Sequence, residues 1–204
     1  MAYQDDIKKA AALLLPWNKL SGCNILVTGA TGLIGGCLVD VLMAHKGRNY
    51  NVYASGRNEE RAGRRFLKYA DDNAFHFVKY DVAQPLEYDV NFQYIIHAAS
   101  GAYPEEFIKH PVEVIKGNIN GLDNLMGYGI QHGIKRLLYI SSGEVYGEGD
   151  GRVFTENYSG YVDCTSLRSC YPSSKRAAET LCISYGAEYG IDLSLIHISE
   201  PTRH

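Results

Sequence analysis

Asn24-Ile-Leu-Val-Thr-Gly-Ala-Thr-Gly-Leu-Ile-Gly-Gly36 is the stretch that decides the fold of this chain. Residues 25–27 form a short apolar run, which is typical of a strand buried on both faces. Gly29, Gly32 and Gly35 follow, and they suit a tight turn, a close approach to a pyrophosphate, and a helix lying close to the sheet. The free N–H groups and the dipole at that helix start favour a dinucleotide phosphate.

Strands and helices alternate along the rest of the chain. The predicted strands cover about residues 23–28, 50–55, 74–80, 94–97 and 136–140. The predicted helices cover about residues 3–15, 33–45, 59–69, 111–127 and 171–189. From residue 23 onward, this alternation predicts an α/β, doubly wound parallel sheet with helices on both faces, which is a three-layer Rossmann fold.

Composition and charge exclude several classes of protein. A net charge of −3 without a Lys/Arg cluster argues against a nucleic-acid-binding surface. No apolar run approaches the ~18 residues of a membrane helix, and the N-terminus lacks the pattern of a signal peptide. The five cysteines are an odd number without C-x-x-C spacing, so we interpret them as reduced thiols of a cytoplasmic protein rather than as disulfides or metal ligands.

Tyr171 and Lys175 lie four residues apart in the last predicted helix, hence on one helix face. A lysine ammonium beside a phenol stabilises the phenolate, which can then take a proton from a sugar hydroxyl while hydride leaves the same carbon. Ser142 follows the fifth predicted strand and could hydrogen-bond the reacting hydroxyl. The alternatives are that Ser142 is an ordinary turn serine and Glu144 a solvated carboxylate.

The second predicted strand ends in Ser55-Gly-Arg57, where an NAD-specific unit would carry an acid for the adenosine ribose hydroxyls. Arg57 could instead face the 2′-phosphate of NADP, although an arginine at such a place is often merely solvated. Asp81 follows the third strand, where a carboxylate could reach the adenine edge. His97 ends the fourth strand, and its position favours packing over a role as a base.

Five motifs occur in a specific order along the chain. They are Thr28-Gly-x-x-Gly-x-x-Gly35, Asp81-Val82, His97-Ala-Ala-Ser100, Ser141-Ser-x-x-Val-Tyr-Gly147 and Tyr171-x-x-x-Lys175. Over about residues 22–192 the chain therefore resembles the extended short-chain dehydrogenase/reductase family, the NAD-dependent nucleotide-sugar epimerases, dehydratases and decarboxylases. The resemblance implies catalytic roles for Ser142, Glu144, Tyr171 and Lys175. It implies cofactor contacts at Gly29, Thr31, Gly32, Leu33, Ile34, Gly35, Asp81, Val82, Ala98, Ala99, Ser100, Asn118, Tyr171 and Lys175.

Within this family, stretches such as Asp81-Val-Ala-Gln-Pro-Leu86 and Arg168-Ser-Cys-Tyr171 look most like the UDP-glucuronate decarboxylases. That resemblance implies a nucleotide-sugar substrate, oxidation at C4 by NAD⁺, loss of CO₂ and return of the same hydride. A 4-epimerase or a 4,6-dehydratase is an alternative, although Gly143 stands where the dehydratases place an Asp. A non-catalytic dinucleotide-binding module is a further alternative, against which the intact Tyr171 and Lys175 argue.

The family also implies a homodimer of the full-length parent, formed through the helix near residues 111–127 and the helix that carries Tyr171. The tail, Leu193-Ser-Leu-Ile-His-Ile-Ser-Glu-Pro-Thr-Arg-His204, matches the translation of a transposon-type sequencing adapter. We therefore expect read-through after about Asp192, the alternative being a natural short chain that ends this way. The apolar start of the tail can still form a sixth strand.

Three segments result. Residues 1–20 are predicted to be an N-terminal helical extension, residues 21–192 an NAD(P)-binding Rossmann domain with the Tyr/Lys helix, and residues 193–204 a non-native tail. The family's C-terminal substrate domain is expected to be lacking. We accordingly expect the 204-residue chain to bind cofactor weakly and to turn over nothing.

Overall fold

The computed structural model describes residues 2–101 and 103–197. Its strands are β1 Asn24–Thr28, β2 Asn51–Gly56, β3 Phe75–Lys79, β4 Tyr94–His97, β5 Arg136–Ile140 and β6 Asp192–Ile196. Its helices are α1 Ala2–Ala11, α2 Leu33–Ala44, α3 Glu59–Phe66, α4 Pro104–Lys109, α5 Pro111–His132 and α6 Cys170–Tyr189. The strands form one parallel sheet in the order β3-β2-β1-β4-β5-β6. The predicted doubly wound α/β fold is confirmed.

Strand β1 sends alternate side chains into two hydrophobic cores. Ile25 and Val27 pack with residues of α2 and α3, whereas Leu26 packs with residues of α5 and α6 on the other face. All three side chains are buried. Because both faces of the sheet are covered, a strand with the usual two-residue period appears in the sequence as a continuous apolar run.

One buried carboxylate, that of Asp40 in α2, holds the N-terminal helix against the domain. Asp40 accepts hydrogen bonds from Tyr3 at 2.7 Å and from Tyr69 at 2.9 Å. It also forms ion pairs with Arg65 at 2.5 Å and Lys68 at 2.9 Å. Burial acts to raise the pKa of Asp40, but these partners outweigh burial and hold the pKa at about 2. The ionised carboxylate therefore joins α1, α2 and the end of α3 at neutral pH.

The helices depart from the predicted ones in three places. Helix α1 ends at Ala11 and not near residue 15, and residues just before Pro16 are disfavoured in the α conformation. Helix α5 continues past Gly127 to Gly133, whose left-handed backbone, with φ of 65°, ends the helix. The sequence does not predict α4, because six residues between two prolines resemble a loop. None of the described helices combines the length and apolar character that a membrane crossing requires.

Strand β6 pairs in parallel with β5 from Asp192 to Ile196, so the apolar residues after Asp192 do form a sixth strand. Residues 198–204, the remainder of the predicted non-native tail, lie outside the described residues. All five cysteines are free, as the sequence predicts.

Candidate active site

The glycine turn after β1 lies against the end of β4, at the point where the strand order reverses. Gly29 has φ of 65°, a conformation that favours glycine. A Cβ atom there would meet the carbonyl oxygen of Ala98 at 2.6 Å. Parallel sheets bind ligands in the crevice beyond the carboxyl ends of the strands at such a switch point. The turn therefore places the candidate site between β1 and β4.

The other two glycines of the turn, Gly32 and Gly35, have different structural roles. A Cβ atom on Gly35 would meet the carbonyl oxygen of Gly29 at 2.5 Å, so this glycine lets α2 press against the turn. At Gly32 a Cβ atom would approach only the Gly29 oxygen, at 3.2 Å, and Gly32 and Leu33 are exposed at the start of α2. This open helix N-terminus fits the diphosphate of a dinucleotide. Ile34, by contrast, is half-buried within the first turn of α2.

Three other predicted cofactor segments lie at the same edge of the sheet. Residues 98–100 follow β4 and are half-buried, and the Ala99 amide donates to Oγ1 of Thr28 at 3.3 Å. Asp81 and Val82 follow β3 and are half-buried as well, and Asp81 caps its own turn by accepting from the Ala83 amide at 3.1 Å. Arg57 is exposed beyond the end of β2. All the predicted cofactor segments therefore face one edge, as the crevice requires.

Asn118 links the end of β4 to helix α6. Its Oδ1 accepts from Oγ of Ser100 at 2.8 Å, and its Nδ2 donates to Oγ of Ser174 at 2.9 Å. Ser174 in turn donates to the backbone carbonyl of Tyr171 at 3.0 Å. Asn118 is buried, so this chain of hydrogen bonds fixes α6 relative to the end of β4.

Tyr171 and Lys175 are both buried at the start of α6. The ammonium of Lys175 donates to the carbonyl oxygen of Ile140 at 2.9 Å, and it lies 5.8 Å from the ring centre of Tyr171. It also lies 4.6 Å from the ring centre of Tyr139, a distance typical of a cation–π contact. The structure thus brings the predicted tyrosine and lysine together and holds the lysine by the end of β5.

His97 lies beneath this cluster and is buried, as expected for a packing residue. Its Nδ1 is 2.8 Å from Oγ1 of Thr28, and its ring lies 5.6 Å from that of Tyr139. Burial, with a smaller contribution from the Lys175 charge, lowers the pKa of His97 to about 3. The imidazole is therefore neutral at physiological pH, which keeps a second cation away from Lys175.

Ser142 and Glu144 form the turn that follows β5. Ser142 is buried, and its Oγ accepts from the Glu144 amide at 3.3 Å. Glu144 pairs with the guanidinium of Arg168 at 2.5 Å. Arg168 in turn lies 4.6 Å from the ring centre of Phe107, and the Phe107 ring stacks on Tyr171 with the ring centres 4.7 Å apart. The guanidinium of Arg168, the ring of Phe107 and the ring of Tyr171 thus lie in consecutive contact beside the site.

Several residues of this arrangement escape sequence reasoning. Phe107 lies in α4, which the sequence does not predict, and Ser174 lies unremarked inside the Tyr-x-x-x-Lys motif. Arg168 lies in the Arg168-Ser-Cys-Tyr171 stretch that the sequence singles out by resemblance, but neither its ion pair with Glu144 nor its contact with Phe107 can be predicted from that stretch. The sequence also singles out Arg57, whereas Arg61, Arg64 and Arg65 of α3 line a cavity beside the glycine turn.

Comparisons with known proteins agree with this geometry. Residues 25–201 match the model of the NAD dependent epimerase/dehydratase family. UDP-glucuronic acid decarboxylase 6 of Arabidopsis thaliana is 35% identical over 181 residues, which are 87% of this chain and 50% of that protein. UDP-glucuronic acid decarboxylase 1 of Danio rerio is 32% identical over 176 residues, which are 85% of this chain and 40% of that protein. The chain thus spans about half the length, or less, of these curated relatives.

Solved structures share the fold. UDP-glucuronic acid 4-epimerase from Bacillus cereus, in complex with NAD, matches with a TM-score of 0.68 and 23% identity over 86% of this chain and 56% of that chain. A dTDP-glucose 4,6-dehydratase from Streptomyces venezuelae, with NAD bound, matches with a TM-score of 0.71 and 22% identity over 85% of this chain and 55% of that chain. With the glycine turn, the Tyr/Lys pair and the family model in agreement, the chain belongs to the NAD dependent epimerase/dehydratase family.

Proposed function

We propose that this chain is the cofactor-binding and catalytic half of a nucleotide-sugar-modifying enzyme that oxidises the sugar at C4 and decarboxylates a UDP-hexuronate. The observation that carries the choice of decarboxylation is the Arg168 guanidinium, which lies over the ring that stacks on Tyr171. The family and the names of the matched relatives support the nucleotide-sugar class.

Tyr171 is the proposed base for the C4 hydroxyl. A base that removes this proton makes hydride departure from the same carbon easier, and a nearby cation favours the phenolate form. Lys175 supplies that cation, because its ammonium is fixed by the Ile140 carbonyl close to the Tyr171 ring. Ser142, buried at the end of β5, is proposed to hydrogen-bond the reacting oxygen.

The cofactor is proposed to be a nicotinamide dinucleotide, which when bound accepts hydride from the sugar and returns it. The open N-terminus of α2 at Gly32 is proposed to hold its diphosphate. The small residues 98–100 leave room above the sheet, and Asp81 and Val82 flank the adenine position. These assignments use the same edge of the sheet as the Tyr/Lys pair.

Arg168 is proposed to recognise the carboxylate of the sugar. Guanidinium groups bind carboxylates through two parallel hydrogen bonds, and Arg168 is half-exposed beside the site, at 50% of its side-chain area. Once C4 is a ketone, the carboxylate carbon attached to C5 is β to it, so the bond between C5 and the carboxylate carbon can break with release of CO₂. The electron pair of that bond forms the enolate of the C4 ketone, and C5 takes a proton from Tyr171 or from water before hydride returns to C4. Arg168 is paired with Glu144 at 2.5 Å, and a sugar carboxylate would share or replace that partner, whereas a neutral hexose would leave the pair as it is.

The test identifies the product. Because the chain spans about half the length of its relatives, the assay uses the complete protein encoded in the source genome. Incubation with UDP-glucuronate and a nicotinamide dinucleotide should give a UDP-pentose by mass spectrometry. A UDP-hexuronate epimer would instead identify a 4-epimerase, and loss of water from a neutral UDP- or dTDP-hexose would identify a dehydratase. Dinucleotide binding without any turnover would identify a non-catalytic module.

We also propose that the full-length parent is a cytoplasmic homodimer paired through α5 and α6. Apolar side chains are exposed on both helices, among them Val112 at 54% and Ile183 at 63%. A lysine in place of Ile183 should shift the parent protein from dimer to monomer in light scattering. The matched change at Ile108, which is exposed on α4, should leave the dimer intact. A dimer that survives Ile183→Lys would contradict this interface.

A further inference from the structure

A cavity of about 490 Å³ lies beside the glycine turn and is lined with arginines. Its lining consists of Thr31, Gly32 and Leu33 at the turn and the start of α2, Arg61, Arg64 and Arg65 of α3, and Tyr103. The N-terminus of α2 opens into the same space and adds the partial positive charge of its dipole. The cavity is therefore built for a group with more than one negative charge.

The three arginines are not equivalent. Arg65 is committed to the buried carboxylate of Asp40 at 2.5 Å, so it serves the packing of α1 and α2. Arg64 pairs with Glu60 at 2.9 Å, but both side chains are more than 70% exposed, and such pairs are weak. Within the described residues, Arg61 forms no ion pair, and its guanidinium is exposed at the cavity. Arg61 and Arg64 are therefore available to an incoming anion.

The cavity lies next to the place where the adenosine ribose is expected. A Cβ atom on Gly56, the last residue of β2, would meet the Thr31 side chain at 3.4 Å, so the end of β2 touches the cavity wall. The carboxylate that would bind free ribose hydroxyls is missing from this strand end. Glu59, the acid that follows, is paired with Lys79 at 2.8 Å. The hydroxyls of Thr31 and Tyr103 also line the cavity and can bond a ribose hydroxyl, but only the arginines can offset the charge of a 2′-phosphate.

We infer that this cavity holds the 2′-phosphate of NADP, with Arg61 and Arg64 as its ligands, and that the chain prefers NADP to NAD. The inference rests on the proposed dinucleotide site and deepens it. It corrects the emphasis that the sequence places on Arg57, which does not line the cavity. It also separates this chain from relatives that are defined by their dependence on NAD.

The test is calorimetric and needs no turnover, so it uses the 204-residue chain itself. We expect NADP⁺ to bind at least about tenfold more tightly than NAD⁺, since two guanidinium groups would form charge-assisted hydrogen bonds to the additional phosphate. The fragment 2′,5′-ADP, which carries the 2′-phosphate, should likewise bind more tightly than 5′-AMP, which lacks it. The variant Arg61→Ala/Arg64→Ala should lose about tenfold or more in NADP⁺ affinity and less than about threefold in NAD⁺ affinity.

Two single variants serve as controls. Arg152→Ala removes an exposed arginine that pairs with Asp150 and does not line the cavity, and it should leave both affinities unchanged. Arg57→Ala should change the ratio of the NADP⁺ and NAD⁺ affinities little. If this substitution alone abolishes the preference for NADP⁺, the assignment of the 2′-phosphate to the cavity is wrong. Equal or tighter binding of NAD⁺ overturns the inference but leaves the proposed function standing. Binding of neither dinucleotide by a folded chain, as judged by circular dichroism, overturns both.

Discussion

The two sides of the candidate site are built by different means. On the cofactor side, the turn at Gly29 and Gly35 is shaped by backbone packed on backbone, with no room for a side chain. On the catalytic side, Tyr171 and Lys175 are buried side chains held by other side chains and by one strand carbonyl. The proposed function of the cofactor side depends on the shape of the backbone, whereas that of the catalytic side depends on the charge of Lys175 and the proton of Tyr171. Mutations should therefore affect stability on one side and chemistry on the other.

The largest effect is expected from Tyr171→Phe, which removes the proposed base but keeps the ring on Phe107. We expect turnover by the full-length parent to fall about 10²–10⁴-fold, the usual contribution of general base catalysis. The free energy of unfolding should change by about 1 kcal/mol or less. Substrate conversion and chemical denaturation measure the two quantities. Unchanged turnover would end the enzymatic interpretation of this pair.

The second effect compares two helical glycines. Gly35→Ala forces a Cβ atom to 2.5 Å from the Gly29 oxygen, so we expect a loss of about 1–3 kcal/mol in unfolding free energy and weaker dinucleotide binding. Gly63→Ala in α3 is the matched control, since nothing lies within 4 Å of its Cβ position. It should stabilise the chain by up to about 1 kcal/mol through helix propensity. Equal changes in unfolding free energy for Gly35→Ala and Gly63→Ala would show that the turn can accommodate a side chain at position 35.

The third effect is a pH dependence of the unfolding free energy that arises from His97. The folded-state pKa of His97, about 3, lies below its ordinary value of 6.5, so the unfolded chain takes up the proton first as the pH falls. The stability from neutral His97 is complete above about pH 6.5 and falls toward pH 3 by up to about 1.4 kcal/mol per pH unit.

His97→Asn removes the titrating ring and keeps an amide within reach of Thr28. The difference in unfolding free energy between the variant and the wild type should therefore vary with pH between about 4.5 and 6.5, where the wild type alone carries this slope. Denaturant titrations at several pH values measure it. Parallel curves for the two proteins would show that His97 is not kept neutral by the fold.

The smallest effect concerns the link between the two sides. Asn118→Ala breaks the hydrogen bonds to Ser100 and Ser174 and should cost about 1 kcal/mol of stability, because both hydroxyls can still find other partners. A larger change is expected in turnover by the parent protein, since α6 would shift relative to the end of β4. A stability loss with unchanged turnover would show that the two sides work independently.

The two sides also differ in how far the sequence predicts them. The glycine turn is local, so the spacing of Gly29, Gly32 and Gly35 is sufficient to predict its strand, its turn and its helix. The contacts of Phe107 with Arg168 and with Tyr171, by contrast, join residues from separate parts of the sequence. Phe107 and Arg168 are distant in sequence, and the short helix that carries Phe107 has no clear pattern. Side chains that meet only through tertiary packing leave no spacing to detect.

Tertiary packing also decides which arginines line the cavity beside the glycine turn. The sequence favours Arg57 because it is the arginine nearest to the end of β2, whereas the cavity wall is set by the direction in which α3 leaves that strand. Helical spacing places Arg61 and Arg64 on neighbouring positions of one face, but which face meets the turn depends on the packing of Phe66 and Ala62 into the core. The catalytic and cofactor roles of all these residues stay predictions.

The central claim, hydride removal from C4, loss of CO₂ from the 4-keto intermediate and return of the same hydride to C4, is tested most directly with UDP-glucuronate deuterated at C4. The full-length parent should convert it to a UDP-pentose that keeps the deuterium at C4, as nuclear magnetic resonance would show. Conversion should require Tyr171 and a bound nicotinamide dinucleotide. A product that carries solvent hydrogen at C4, or decarboxylation that persists in Tyr171→Phe, would contradict the account.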